Sequence, residues 1–408
     1  MTIRGAQPMP RWNSFESFLA DARRADSDEE RQELVDELLM ERPTWPWVQG
    51  RRATFIFTSL GSRRSVALNL DTVKGDPPFV PMTRLEGTSL WYITQEFQPD
   101  DLLDYLLAVD DPMTPLATET DIVGRISNYW RFDARNPLRM ETAQQMVSVL
   151  RMGDARPFPD WTALKGVPRG RVYEHFVDSV QLGYKGRKLW VYTPPGYDRS
   201  GMVYPLLIFQ DGQWAAGPLQ MPAIADALIK HERMKPVVIA MLQSGSQQER
   251  LKEYVSNDRH YASLLTELLP FIQTHYRIDS TDLGVGGVAV GAIAAAHDAL
   301  RNPAVFNSLI MISPPLGKGL AEELLEQYTA RFAEAKLLPR RIFQSVGRYE
   351  ARARFLKPAQ ALRDVLERRS DTAYRFVEVG SGHGLVGFRS VIPEALAWVY
   401  PGKNPPNG

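Results

Sequence analysis

The chain has 408 residues, enough for one large core or for two domains. Hydrophobic residues make up 44% and charged residues 24%, as in an ordinary globular protein. The 48 Lys+Arg balance 48 Asp+Glu, which removes any electrostatic case for nucleic acid or an acidic membrane surface. The absence of cysteine excludes disulfides, thiolate metal sites and a cysteine nucleophile.

Met1 to Pro10 contain no apolar core of the kind a secretory signal carries, and runs such as Pro236 to Leu242 are too short to cross a bilayer. A soluble cytoplasmic protein is expected. Residues 13–42 are predicted helical: Ser27 and Glu30 have capping-box spacing, and Leu34, Leu38 and Leu39 recur on one face. From about 53 to 110 the pattern turns to short β-type runs, Thr54–Thr58, Ser65–Asn69 and Leu90–Thr94, separated by Gly/Pro turns. Strands without helices between them predict a small sandwich. The proline-rich stretch 111–170 reads as a connector lying against the second domain, with a helix at 140–151.

Beyond residue 171 strands and helices alternate. Strands are predicted at 172–181, 186–193, 204–209, 236–242, 282–288, 306–312, 340–346 and 373–379. Helices are predicted near 218–232, 258–276, 290–301, 318–336, 357–369 and 390–399. Nearly continuous apolar strands alternating with helices indicate an α/β fold with a mostly parallel sheet covered on both faces. The expected organisation is a helical segment plus β-sandwich-like domain over 1–150 and an α/β domain over 151–408. Ligands bind such sheets at the carboxyl ends of the strands.

At one of those ends stands Gly287-Val288-Ala289-Val290-Gly291. This is the frame of a G-x-S-x-G nucleophile elbow, with alanine at the serine position. The glycines serve the sharp strand-to-helix turn, and the middle residue supplies the chemistry. On α/β-hydrolase scaffolds the nucleophile, acid and histidine follow in that order. Strand 340–346 leads into Gly347-Arg348-Tyr349-Glu350, and strand 373–379 into Gly380-Ser381-Gly382-His383-Gly384. Glu350 is thus the candidate acid and His383 the candidate base, the carboxylate fixing the imidazole tautomer. A glutamate on a loop is also a common surface residue. One oxyanion donor is expected at the N–H of Val290. A second is expected from Gln210-Asp211-Gly212-Gln213-Trp214, with Gly212 and Gln213 offering N–H groups and Trp214 walling the pocket. A plain β-to-α turn with a packed Trp accounts for that segment equally simply. His175, His231, His260, His275 and His297 read as structural, and no spacing suggests a metal or other cofactor.

These residues together resemble the enterochelin esterases, ferric-siderophore esterases of the α/β-hydrolase class. The resemblance rests on Arg187–Tyr197, Phe209-Gln-Asp-Gly-Gln-Trp214, Arg250-Leu-Lys-Glu-Tyr-Val-Ser-Asn257 with Glu267–Pro270, Gly347–Glu350 and Ser381–Leu385. In the first half it rests on Thr54–Phe57, Leu90–Tyr92 and Asp133–Pro137. It implies an N-terminal sandwich domain and a small-molecule ester or depsipeptide substrate, the iron-siderophore trilactones being the family's own. It also implies pocket roles for Asp211, Arg250, Glu253 and Asn257, with Arg250 facing an anionic substrate. A surface helix start carrying an Arg–Glu pair is the plainer reading of the last three. The chain departs from the pattern at Ala289, at Gly384 where an aspartate is usual, and at Ala134-Arg135.

Three explanations account for the alanine: an engineered Ser→Ala form, a natural pseudoenzyme that binds without cleaving, or a catalyst needing only His383 and an oxyanion hole. Loss of a triad serine costs about a millionfold in turnover. The retained glycines, histidine loop and oxyanion segment favour an inactivated serine hydrolase.

Overall fold

Ser14 and Ser27 each start a helix by accepting a backbone N–H three residues on, giving Phe15–Arg24 and Asp28–Glu41 where one helical region was expected. Glu30 bonds the N–H of Asp26, one residue before the cap, so the reciprocal half of the box is displaced. The computed structural model describes residues 10–142 and 144–405. The chain divides into two compact units, Met1–Arg156 and Pro157–Gly408.

In the first unit a four-stranded antiparallel sheet runs through Trp47–Gln49, Arg52–Thr58, Leu90–Glu96 and Thr83–Arg84. A second antiparallel sheet is built on Leu102–Val109, flanked by Val66–Leu70 and Met146–Arg151. Strand alternation assigns the faces. Ile56 joins Phe15, Phe18, Leu38 and Trp45 under the two helices, while Phe55 meets Tyr105 of the other sheet at 4.9 Å. The helix expected over 140–151 is instead the strand pair Arg139–Glu141 and Met146–Arg151. Val147 and Val149 suit a pleated surface, and pairing of Ser148 with Tyr105 completes the sheet.

The stretch expected as a connector is also more ordered than composition suggested, and through Arg156 it belongs to the first unit. Helix Ile122–Tyr129 is held by Arg125, whose guanidinium forms a buried bidentate pair with Asp111. Asp133 accepts from Tyr105 Oη at 2.8 Å, and Asn136 donates to the Val149 carbonyl at 2.9 Å.

The second unit carries an eight-stranded sheet. Its strands are β1 (Arg171–Ser179), β2 (Tyr184–Thr193), β3 (Tyr204–Gln210), β4 (Val238–Leu242), β5 (Ile278–Val288), β6 (Phe306–Ile312), β7 (Arg341–Gly347) and β8 (Ala373–Val379). The spatial order is β1-β2-β4-β3-β5-β6-β7-β8. β2 is antiparallel to both neighbours, and β4 through β8 are parallel. Leu206, Ile208, Val238, Val285 and Leu309 pack under one helical layer with Ala292, Ile293, Ala296 and Leu264. On the strands following the opposite register, helices Met221–Lys230 and Leu385–Val399 pack against one another. The result is the expected α/β sheet with helices on both faces.

Candidate active site

β5 stops at Val288, and helix Val290–Arg301 starts at once. The single residue between them, Ala289, carries the whole reversal at φ 49° and ψ −123°, a conformation that costs a residue with a Cβ about 1–3 kcal/mol. The flanking glycines are required by contact. A Cβ on Gly287 would lie 2.3 Å from the Gly291 carbonyl carbon, and one on Gly291 would lie 2.7 Å from Asp211 Oδ2. Ala289 N–H donates to the Ile312 carbonyl at 2.9 Å, tying the bend to β6, and its side chain is only half-buried.

Glu350 and His383 follow β7 and β8 at the same carboxyl edge as Ala289. The Glu350 side chain is fully buried, and its Oε1 accepts from Ser313 Oγ at 2.6 Å and from the Gly347 N–H at 3.1 Å. Oε2 has no hydrogen-bond partner and faces His383 Nδ1 at 3.5 Å. The imidazole is 35% exposed and rests between Phe355 (4.3 Å, 32° between planes) and Phe388 (5.1 Å, 81°). One ring edge therefore meets the carboxylate while the ring remains open to solvent. Ser313, at φ 50°, was not visible in the sequence as a site residue; its only signal is its place directly after β6.

The loop after β3 is fixed by polar contacts. Asp211, at φ 60°, precedes the short helix Gly212–Ala216. The first N–H groups of a helix have no intrahelical carbonyl, which is the condition for an anion-facing donor at Gly212, Gln213 and Val290. The Gln213 side chain closes a pair of hydrogen bonds with Ser244, at 2.7 Å to its Oγ and 3.2 Å from its N–H. Trp214 is half-buried, with the Arg250 guanidinium 4.7 Å from its ring centroid.

The side chains of the next segment, expected as pocket residues, are bonded within the chain. Arg250 is buried, and its Nε and Nη2 each bond an Asp211 oxygen at 2.7 Å while Nη1 bonds Gln247 at 2.9 Å. The guanidinium is thereby committed to a carboxylate of the chain. Glu253 forms a bidentate pair with Arg187 at 2.5 Å. Asn257 is the N-cap of helix Asp258–Ser263, accepting from the Arg259 N–H at 2.9 Å. Arg250 and Glu253 tie helix Gln247–Tyr254 to Asp211 and to β2, while Asn257 joins it to the next helix through Lys252, so the Arg–Glu pair of the plainer reading is replaced by two pairs to distant partners. Next to them Tyr254 packs on Val290 and Ala294 of the elbow helix. Its phenol is pushed well above its usual value by burial and by the negative Asp211.

Three of the remaining histidines are bonded within the fold. His260 pairs with Asp298, His297 with Asp258 at 2.9 Å, and His175 with Tyr276 at 2.6 Å. Among the described residues no group of three or more His, Asp or Glu side chains could hold a metal ion, and no helix is long and apolar enough to cross a membrane.

The putative esterase family matches residues 181–398, more than half of the chain. The chain belongs to that family. No curated protein matches it. Among solved structures, the ferric enterobactin esterase of Salmonella typhimurium matches with a TM-score of 0.75 at 19% identity, covering 89% of this chain and 98% of the other. The enterobactin esterase of Shigella flexneri, determined in the presence of enterobactin, matches with a TM-score of 0.72 at 18% identity over 85% and 92%. This family member therefore shares its fold with the enterobactin esterases.

Proposed function

We propose that this family member binds carboxylic esters of the cyclic trilactone or depsipeptide class and, with Ala289 at the nucleophile position, does not hydrolyse them. The reading is that of a serine hydrolase in an inactivated form. A serine at 289 would attack the ester carbonyl while His383 takes its proton, and Glu350 would hold the Nδ1–H tautomer and stabilise the imidazolium. The N–H groups of Val290, Gly212 and Gln213 would receive the charge that develops on the carbonyl oxygen. The alanine methyl can neither attack nor donate, so the ester would stay bound and intact.

One observation carries this reading: the elbow strain persists without its chemistry. Ala289 is held in a left-handed bend by two glycines that tolerate no side chain. It shares a sheet edge with a buried carboxylate whose one unpartnered oxygen faces an imidazole. Strain of this kind marks functional positions. The relatives' ligand, enterobactin, supplies the ester class.

The test is the Ala289→Ser variant, assayed on a short-chain aryl ester and on a catecholate trilactone. Hydrolysis should appear in this variant and vanish when His383→Ala is added. A serine variant no faster than the Ala289 protein on both esters would refute the proposal.

A further inference from the structure

A groove of about 720 Å³ opens in the second unit beside the oxyanion segment. Its walls come from the start of β2 (Tyr184, Lys185, Arg187), from Gln213, from the loop after β4 (Gln243, Ser244, Ser246) and from Glu249 and Glu253. Because β2 is antiparallel to β4, with Leu189 opposite Leu242, residues 184–187 project past the carboxyl end of β4. The groove thus stands on the same sheet edge as Ala289. β3 lies between β4 and β5, so the groove floor is two strand spacings, about 10 Å, from the elbow. Gln213 bridges the two places: its backbone belongs to the oxyanion segment, and its side chain is bonded to Ser244 in the groove.

We propose that this groove is a subsite for a neutral, hydroxyl-rich portion of the ester ligand, such as a sugar or polyol. This deepens the ester-binding reading and rests on it. The chemistry of the walls selects the class. Two cations, Lys185 and Arg187, stand against two carboxylates, Glu249 and Glu253, so the lining has no net charge to favour an ionic ligand. Apart from Leu182 and the glycines, amides and hydroxyls take the remaining positions, which disfavours an alkyl or acyl chain, since each would lose a water partner without replacement. The deeper groups are already fixed, Arg187 by Glu253 and Gln243 Oε1 by the Lys188 N–H at 3.0 Å. Rigid donors and acceptors of both kinds suit hydroxyl groups, which donate and accept at once. Gln243 retains its amide N–H groups and Lys185 its exposed ammonium for such a ligand.

The experiment compares two esters of one hydroxybenzoic acid, the glucose ester and the methyl ester. Each is titrated calorimetrically into the protein and assayed as a substrate of the Ala289→Ser variant. The glucose ester should bind about 10-fold tighter, the equivalent of about 1.4 kcal/mol. Gln243→Leu and Lys185→Met, both away from the elbow, should remove that preference and leave the methyl ester unchanged. Equal affinity for the two esters, or a preference that survives both substitutions, overturns the subsite. Methyl-ester binding or hydrolysis without preference does so while leaving the esterase reading intact. If neither ester binds while the Ala289→Ser variant hydrolyses a catecholate trilactone, the subsite falls and the ester-binding reading stands; if that variant hydrolyses none of the three, both readings fall.

Discussion

Two buried carboxylates stand at the carboxyl edge of the large sheet, and they are held in opposite ways. Asp211, after β3, has both oxygens bonded by Arg250 at 2.7 Å, and the pair is sealed from solvent. Glu350, after β7, has one oxygen fixed by Ser313 and Gly347, and the other turned toward a half-exposed imidazole at 3.5 Å. A carboxylate that only holds geometry gains from having every lone pair satisfied. One that must steady a changing charge on a histidine needs an oxygen left over. On the proposed reading, the contrast separates the framework of the site from its working part.

The sharpest way to break the comparison is Arg250→Met. It leaves the Asp211 charge buried without a partner, and denaturant melts should show a loss of about 3–5 kcal/mol. A loss below about 1 kcal/mol would mean that the pair is not the framework. Ala289→Gly should act in the other direction. Glycine adopts φ 49° without strain, so the protein should gain about 1 kcal/mol in the same measurement.

His383→Ala should cost less than about 1 kcal/mol of stability, because the ring is partly exposed and its carboxylate contact is long. In the Ala289→Ser background the same change should abolish hydrolysis, which separates a working group from a supporting one. The smallest effect concerns His297, away from both carboxylates. Burial holds its imidazole below the usual 6.5 despite the Asp258 bond. The folded state therefore binds this proton more weakly than the unfolded chain. The associated stability is complete above pH 6.5 and is lost as pH falls through the lowered folded value. His297→Gln should make the decline in stability between about pH 7 and pH 5 shallower than in the parent protein, by urea melts at each pH.

Much of the second unit was legible in its periodicity. Strands Phe306–Ile312 and Ala373–Val379 and helix Val290–Arg301 stand where the apolar pattern placed them: the first buries a nearly continuous run, the second turns Val377 and Val379 inward, and the small-residue helix is buried through Ala299. The failures have local causes. Residues 140–151 carry apolar residues at spacings compatible with either period, and only pairing with Leu102–Val109 makes them strands. Helix Gln247–Tyr254 was missed because its face is largely polar; its buried residues are Arg250, Glu253 and Tyr254. A free-anion role was expected of Arg250 because nothing local reveals that Asp211, 39 positions earlier, neutralises it. Ser313 escaped for the same reason, since its partner lies 37 positions on.

The chain's own order of residues decided that strands and helices alternate, that a glycine-framed bend interrupts them at 287–291, and that the residue at its apex has no nucleophilic atom. These are properties of local spacing and residue chemistry, and they hold whatever the neighbours. The pairing of Asp211 with Arg250, of Glu350 with Ser313 and His383, and the groove beside Gln213 were decided by the strand order. That order comes from crossovers packing on a twisted sheet, and it brings together side chains that no window of sequence contains.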